Sequence, residues 1–470
     1  MGLGHFGGGQ SAARWLAGQG ARVTVTDLAD EEALAPALTA LADVPLAGVH
    51  LGGHREDDFR HVDLVVVNPA VRPGNPLVAI ARDAGARLST EIELFLRACP
   101  APVIGVTGSN GKSTTAAMTA AILRAEGRTT WLGGNIGGSL LDRLDQIEPV
   151  HAVVLELSSF QLWYLGGASE GTQRVPGPIF ADHARRMVPG KSGQSPAPMP
   201  HVAVVTGFSP NHLDWHPSLS HYAAAKQRIL TGQNADDLAV LNTFDPEVAS
   251  WHRFVRGRQI PLEEVGTGSC CSGSEDGSLS PPLTIPGRHN RINAACAAAA
   301  ARAAGCHEQA IREGLASFPG LPQRLERFAV IQGRRFYNDS AATTPESTVA
   351  ALESLDEPIW LLAGGRDKGF DFTGLAAAIA ERARGAAFFG SVAATLQSRV
   401  AALDARLPSA AAETLEQSLR WCWDRSRPGD AIVLSPACSS HDQFCNFRQR
   451  GERFVALVAE LAASYSSRSA

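Results

Sequence analysis

The chain has 470 residues, 44% hydrophobic and 19% charged, the balance of a globular protein with room for several cores. Its 42 basic and 47 acidic residues leave a net charge of −5, so it lacks the basic excess of a general nucleic-acid or membrane-surface binder. No apolar run has the length of a membrane span, no charged-then-apolar leader opens the chain, and its eight cysteines include no CxxC pair; a cytoplasmic protein with free thiols is expected.

Gly2-Leu-Gly-His-Phe-Gly7 reads as GxGxxG, and Asp27 follows a strand expected over Ala21–Thr26. Such a turn cradles a pyrophosphate, in a dinucleotide or in a UDP-sugar. Met1 sits directly on the first glycine, so the strand that should precede it is expected to be missing or to lie upstream of the recorded start. A nicotinamide-dependent dehydrogenase is one reading of this pattern, although no hydride-transfer site partners it. The next strand is expected over Leu64–Val67, and a boundary near Cys99–Pro102.

The apolar run Pro102–Val106 then feeds Gly-rich Thr107-Gly-Ser-Asn-Gly-Lys-Ser-Thr114 and a helix over Ser113–Glu126. The turn at Gly108, Asn110 and Gly111 lets backbone N–H groups face phosphate oxygens. Lys112 would reach the terminal phosphates, and the Ser113 or Thr114 hydroxyl would face Mg²⁺. Val106 holds the place of the usual first glycine, making this a variant of the phosphate loop. His151-Ala-Val-Val-Leu-Glu156 ends a strand in an acid, where a metal carboxylate belongs.

Gly166–Pro200 lacks periodicity and reads as an insertion. Val202–Thr206 leads into Ser209-Pro-Asn-His-Leu-Asp-Trp-His216, in which His212, Asp214 and His216 resemble a metal cluster without matching a zinc spacing. His212 is the candidate ligand or orienting group for a cation. Lys226, on a small-residue helix, reads by itself as a surface lysine. Gly266–Pro282 has the composition of a surface connection, and a helix over Ala294–Ala304 precedes a second boundary near Phe318–Pro322.

Three further strands, Ile359–Ala363, Ala387–Phe389 and Ala431–Leu434, and a helix over Leu375–Ala383 complete the pattern. Polar clusters at Asn338–Thr344, Gly364–Gly369 and Ser435–Phe444 suit a small, multiply charged ligand. Strand–helix alternation throughout predicts parallel sheets covered by helices on both faces.

In order along the chain, Gly105–Thr114, Gly134-Asn-Ile-Gly137, Glu156-Leu-Ser-Ser-Phe-Gln-Leu162, Ser209–Asp214, Gly287-Arg-His-Asn-Arg-Ile-Asn293, Leu321-Pro-Gln-Arg324, Asn338-Asp-Ser340, Gly364–Gly369 and Ser435–Gly451 resemble the Mur ligase family of peptidoglycan synthesis. The run Ser435–Phe447 resembles most its D-glutamate-adding members. The resemblance implies an α/β protein of three domains: a Rossmann-like UDP-binding domain over 1–100, a central P-loop ATPase over 101–320 and a C-terminal Rossmann-like domain over 321–470. It implies that ATP phosphorylates the carboxylate of UDP-N-acetylmuramoyl-L-alanine and that the amine of glutamate attacks the acyl phosphate. A monomer acting on small molecules, with no nucleic-acid or membrane partner, is implied as well.

By the same resemblance, Gly108, Asn110, Gly111, Lys112, Ser113 and Thr114 bind ATP, Asn290 and Asn293 flank adenine, and Arg324 and Asp339 hold the nucleotide from the third domain. Ser113, Glu156, His212 and a carbamylated Lys226 match the Mg²⁺ positions, which overrides the surface reading of Lys226. Asn135, Ser158 and Gln161 match contacts to the muramoyl substrate, and Thr343, Lys368, Ser440 and Phe447 the glutamate pocket. Lys112, Lys226, His212 and Lys368 are the implied catalytic set. Ala341 stands where the family usually has lysine, Thr344 where asparagine is common, and Gln323 where histidine is frequent. A ligase adding L-glutamate or another amino acid, or a folylpolyglutamate-synthase-like enzyme, is the alternative.

Overall fold

The computed structural model describes residues 1–4, 7–165, 198–262 and 283–466, which form two compact units. The expected insertion Gly166–Pro200 falls mostly, and the connection Gly266–Pro282 wholly, outside the described residues. One unit holds Met1–Pro282 with Ile292–Ser317, the other Leu283–Arg291 with Phe318–Ala470.

The first unit opens with four short strands in two parallel pairs. They are β1 (Thr24–Thr26) with β2 (Gly48–His50), and β3 (Leu64–Val66) with β4 (Arg87–Ser89). Met1 and Gly2 run between the pairs. The Met1 ammonium donates to the Val66 carbonyl at 3.0 Å, Gly2 N–H to Thr26 at 2.8 Å, and Asn68 N–H to the Met1 carbonyl at 3.0 Å. The slot of the expected first strand is therefore occupied at its carboxyl end by the opening residues themselves.

The main sheet of this unit has the order β10-β9-β8-β5-β7-β6, all parallel, with β5 Val103–Thr107, β6 Thr130–Gly134, β7 Ala152–Glu156, β8 Val202–Val205, β9 Leu238–Leu241 and β10 Arg258–Ile260. Its central strands β5, β7, β8 and β9 are buried at every position. Continuous β-branched and aliphatic runs such as Val-Val-Leu suit strands covered on both faces, and β5, β7 and β8 were expected on that pattern, whereas the short β9 run Leu-Ala-Val-Leu was not. The edge strand β6 (Thr-Trp-Leu-Gly-Gly) is mostly half-buried and β10 (Arg-Gln-Ile) is mostly exposed, and no periodicity announced them.

In the second unit the order is β11-β12-β16-β13-β14-β15: β11 Glu326–Ile331, β12 Arg334–Asn338, β13 Ile359–Gly364, β14 Ala383–Phe389, β15 Ser409–Ala411 and β16 Ala431–Ala437. Alternate residues enter different cores. Leu361, Ala363, Ala386, Phe388, Ala431 and Val433 pack on one face; Trp360, Leu362, Ala387, Phe389, Ile432 and Leu434 pack on the other. Helices Pro345–Glu353 and Thr373–Arg382 pack against each other, and Leu375 and Ile379 lie in the first of these cores; Leu415–Arg425 contributes Leu419 and Trp423 to the second. One expectation needs correction: β11 pairs antiparallel with β12, because the turn at Gln332-Gly333 makes a direct hairpin with no room for a crossover.

Candidate active site

The buried strand β5 delivers the chain into Gly108-Ser-Asn-Gly111 and the helix Lys112–Ala125. Gly108 and Gly111 have φ of 152° and 83°. A Cβ at Gly108 would lie 2.1 Å from Thr206 Oγ1, and one at Gly111 would lie 2.3 Å from Asn293 Oδ1, so glycine is required on steric grounds as well. Thr206, just past β8, donates its N–H to the Thr107 carbonyl (2.9 Å) and its hydroxyl to the Asn110 carbonyl (2.6 Å). The Ser109 hydroxyl meets the Ser209 carbonyl at 2.8 Å and the Tyr222 hydroxyl at 3.0 Å. The loop is held from the next strand and from the Leu219–Thr231 helix, through residues that sequence reading did not single out. Ser113 and Thr114 are buried at the helix start, while Asn110 is exposed.

Two amines converge on this loop. Lys112 Nζ donates to the carbonyls of Gly108 and Ser109, both at 2.9 Å, and Lys226 Nζ donates to Gly108 at 2.7 Å. Lys226 is only 1% exposed, against the surface reading of an isolated lysine. Burial first, and the neighbouring Lys112 charge second, hold its amine well below the ordinary lysine range, with Glu156 opposing. Glu156 ends β7 opposite Val106 of β5. Its Oε1 accepts from Asn135 Nδ2 at 3.0 Å; its Oε2 is buried with no hydrogen-bond partner. A buried carboxylate oxygen left unpaired is costly unless a cation or donor completes it.

Ser158 and Gln161, expected at the muramoyl substrate, form a capping box on the Ser159–Tyr164 helix: Gln161 N–H donates to Ser158 Oγ at 3.2 Å and Ser158 N–H to Gln161 Oε1 at 2.9 Å. Glu156, Asn135, Ser158 and Gln161 thus share one strand end. His212 takes a left-handed φ of 55° and packs edge-on to Phe160, with ring centroids 4.8 Å apart. The suspected cluster of His212, Asp214 and His216 does not form. Among the described residues no group of three or more His, Cys, Asp or Glu side chains could hold a metal ion. His216 is instead enclosed, its ring nitrogens 2.8 Å from His221 Nδ1 and 2.9 Å from Ser159 Oγ.

The GxGxxG turn borders a cavity of about 840 Å³ lined by Gly2, Gly4, Asp27, Leu28, His54 and Asn68 on one side and by Trp215, His216 and His221 on the other. Asp27 accepts from Gly4 N–H at 3.1 Å and Ala29 N–H at 2.9 Å. Burial raises its carboxyl, and these backbone donors outweigh that, leaving it below the usual range. The acid therefore braces the glycine turn.

On the helix Arg288–Ala303, Asn290 and Asn293 are buried one turn apart. Asn290 Nδ2 donates to the Pro286 carbonyl at 2.6 Å, and Asn293 lies beside Thr115 and Gly111 of the phosphate loop.

In the second unit the loops after β12, β13 and β16 leave three neighbouring strands. Asp339 is buried, accepting from Ser435 Oγ at 2.7 Å and Leu325 N–H at 3.0 Å; burial lifts its carboxyl to about 7. Ser440 is buried, Thr343 and Phe447 are half-buried, and Lys368 and Arg324 are exposed. Ala341 leaves no side-chain cation at its position, and its N–H donates to the Gln323 carbonyl at 3.1 Å. A group missed from sequence ties these loops together. Arg450 is fully buried, donating from Nε to Ser340 Oγ (3.1 Å), from Nη1 to the Cys438 carbonyl (3.0 Å) and from Nη2 to the Ser340 carbonyl (2.9 Å). Ser340 Oγ in turn donates to the Phe447 carbonyl at 2.7 Å. A charged residue on an amphipathic helix gives no sign of facing inward.

A glycine turn and lysine at the carboxyl edge of a parallel sheet, beside a buried acid, define a nucleotide-using enzyme. Family profiles agree with that class: "Mur ligase MurD-like, N-terminal domain" matches residues 1–90, "Mur ligase middle domain" 106–168 and 193–301, and "Mur ligase, glutamate ligase domain" 323–438. Curated relatives called UDP-N-acetylmuramoylalanine–D-glutamate ligase include that of Roseiflexus sp. (strain RS-1), 36% identical over 97% of both chains. That of Anaeromyxobacter dehalogenans (strain 2CP-C) is 37% identical, over 97% of this chain and 96% of its own. The solved UDP-N-acetylmuramate-alanine ligase of Thermotoga maritima, 17% identical, shares the fold over 98% of each chain with a TM-score of 0.58. The chain belongs to the Mur ligase family and is an ATP-dependent, amide-forming ligase. Among the described residues no helix is long and apolar enough to cross a membrane.

Proposed function

We propose that this enzyme joins D-glutamate to the carboxylate of UDP-N-acetylmuramoyl-L-alanine while cleaving ATP to ADP and phosphate. One observation carries the reading: the unpaired Glu156 Oε2 lies at the end of the strand beside the phosphate loop, where two lysine amines also meet. The full-length relatives bear the name of this reaction and supply the choice of substrates. The domains are taken as 1–100, 101–320 and 321–470, in a monomer of the cytoplasm.

A carboxylate resists attack by an amine because its oxygen is a poor leaving group. A substrate carboxylate oxygen therefore attacks the γ-phosphorus of ATP, ADP leaves, and an acyl phosphate forms. The neutral glutamate amine attacks its acyl carbon, the tetrahedral adduct loses the amine proton to solvent, and collapse breaks the C–O bond to expel phosphate, leaving the amide. The N–H groups of Gly108–Ser113 and the Lys112 ammonium hold the phosphates; by the family match Asn290 and Asn293 bind on the adenine side, and Arg324 and Asp339 are assigned to nucleotide binding. Thr343, Lys368, Ser440 and Phe447 receive glutamate; Asn135, Ser158 and Gln161 hold the muramoyl arm. The cavity at Asp27, Leu28, His54 and Asn68 takes the UDP end.

Mg²⁺ fits this site. Glu156 Oε2, the Ser113 hydroxyl and His212 would hold it, and nucleotide oxygens would fill the remaining positions. Bound there, the cation would offset charge on the phosphate oxygens. Lys226 is the proposed carbamylated lysine: burial depresses the proton affinity of its amine, and the neutral form would attack CO₂. The carbamate that forms releases one proton and presents a further carboxylate.

Phosphate release with UDP-N-acetylmuramoyl-L-alanine and a panel of D- and L-amino acids tests the reading. Release is expected with D-glutamate alone; release with L-glutamate, or with a folate acceptor in place of the sugar nucleotide, would replace it.

A further inference from the structure

His216 bears on a question that the reaction leaves open: what holds the His212 turn against the strand end that carries Glu156. The turn is closed by its own backbone, with the N–H groups of Trp215 and His216 both donating to the His212 carbonyl, at 3.0 and 2.8 Å. Nothing in those bonds ties the turn to β7. The His216 side chain does. It is fully buried, stacks on Phe160 of the Ser159–Tyr164 helix with planes 22° apart, and places Nε2 2.9 Å from Ser159 Oγ. Its other nitrogen, Nδ1, lies 2.8 Å from Nδ1 of His221 on the Leu219–Thr231 helix, the helix that also carries Tyr222 and Lys226.

The proton count fixes what the chain of contacts can be. Each neutral imidazole carries one N–H, so the short Nδ1–Nδ1 contact holds a single proton, given by one ring and accepted by the other. The Ser159 hydroxyl donates or accepts as the His216 tautomer requires, so every partner is satisfied in either arrangement. Three elements are thereby joined through one ring: the helix that starts three residues after Glu156, the His212 turn, and the helix of Lys226.

We propose that His216 is a positioning residue, fixing the His212 turn to the Glu156 strand end through Ser159 so that both groups face one cation. This rests on the metal reading given above. Side chains that orient metal ligands without touching the metal are typically worth about ten- to a hundredfold in metal affinity.

The two bonds can be separated. His216→Gln places an amide near the position of Nε2 and keeps a partner for Ser159; His216→Asn places one near Nδ1 and keeps the partner for His221. Mn²⁺ serves as the probe, its free concentration read by electron paramagnetic resonance with enzyme saturated by a non-hydrolysable ATP analogue. Ser159→Ala and His216→Asn are expected to weaken nucleotide-dependent Mn²⁺ binding by about tenfold, whereas His216→Gln stays within about twofold of the parent. Adding Ser159→Ala to His216→Asn should weaken it no further. Parent-like Mn²⁺ binding by Ser159→Ala, or a loss in His216→Gln equal to that in His216→Asn, overturns the positioning role. A parent enzyme that binds no Mn²⁺ with the analogue instead removes the metal reading, and the proposal with it.

Discussion

Replacing Asp339 by asparagine should stabilise the second unit at neutral and alkaline pH while leaving it nearly unchanged in acid. Burial raises this carboxyl from 3.8 to about 7, and the hydrogen bonds from Ser435 and Leu325 recover only part of the cost. Below about pH 4 the folded and unfolded chains both hold the proton. Between about 4 and 7 the unfolded chain releases it while the folded chain keeps it, so stability falls as pH rises through that window and levels off above it. A shift of about 3 units at roughly 1.36 kcal/mol each bounds the loss at about 4 kcal/mol. Asparagine fits the same contacts, its oxygen accepting from Leu325 N–H and its amide donating to Ser435 Oγ, and it carries no charge to desolvate. Urea unfolding followed by the fluorescence of Trp360 and Trp423 at pH 4 to 8 measures the difference. The variant should gain about 2–4 kcal/mol at pH 8 and less than about 1 at pH 4. A difference that does not change with pH would refute the argument.

Lys226→Ala should lose turnover, and short-chain carboxylic acids should restore part of it by supplying the carboxylate that the carbamate provides; an unimpaired variant contradicts the carbamate. Ser440→Ala should raise the KM for glutamate several-fold more than that for ATP, and equal rises would place Ser440 outside the acceptor pocket. Arg450→Met removes three charged donors and leaves the carbonyls of Cys438 and Ser340 buried without them. At about 1–3 kcal/mol for each orphaned group, a net loss of about 3 kcal/mol is expected in denaturant unfolding, and a loss under about 1 would show the guanidinium to be dispensable.

Five central strands, β5, β7, β8, β13 and β16, were legible because burial on both faces favours unbroken apolar runs, as in Val202–Val205 and Ile359–Gly364, whereas interior β9 and β12 were missed. The edges were not legible either. β10 is Arg-Gln-Ile, and β11 opens on Glu-Arg with none of its residues buried, so neither has the long apolar run of a central strand. The phosphate loop and Glu156 were legible for a different reason: backbone geometry and strand direction fix where a glycine turn and a terminal acid must point. Lys226, His216 and Arg450 show the limit. Each owes its character to being enclosed by elements distant in sequence: a lone lysine or arginine on a helix reads as solvated, and a histidine in a turn as a candidate ligand, until that enclosure is known. Where the family resemblance matched Lys226 to the carbamylated lysine, the fold buries its amine.

The loops proposed to receive glutamate hang from three adjacent rods of a frame whose two oily layers draw on alternate residues of the same strands. Remodelling those loops need not disturb either layer. A change of incoming amino acid can therefore come from grafting short loop segments onto an unaltered platform, provided the replacement keeps the Ser340 hydroxyl and carbonyl that Arg450 grips from below.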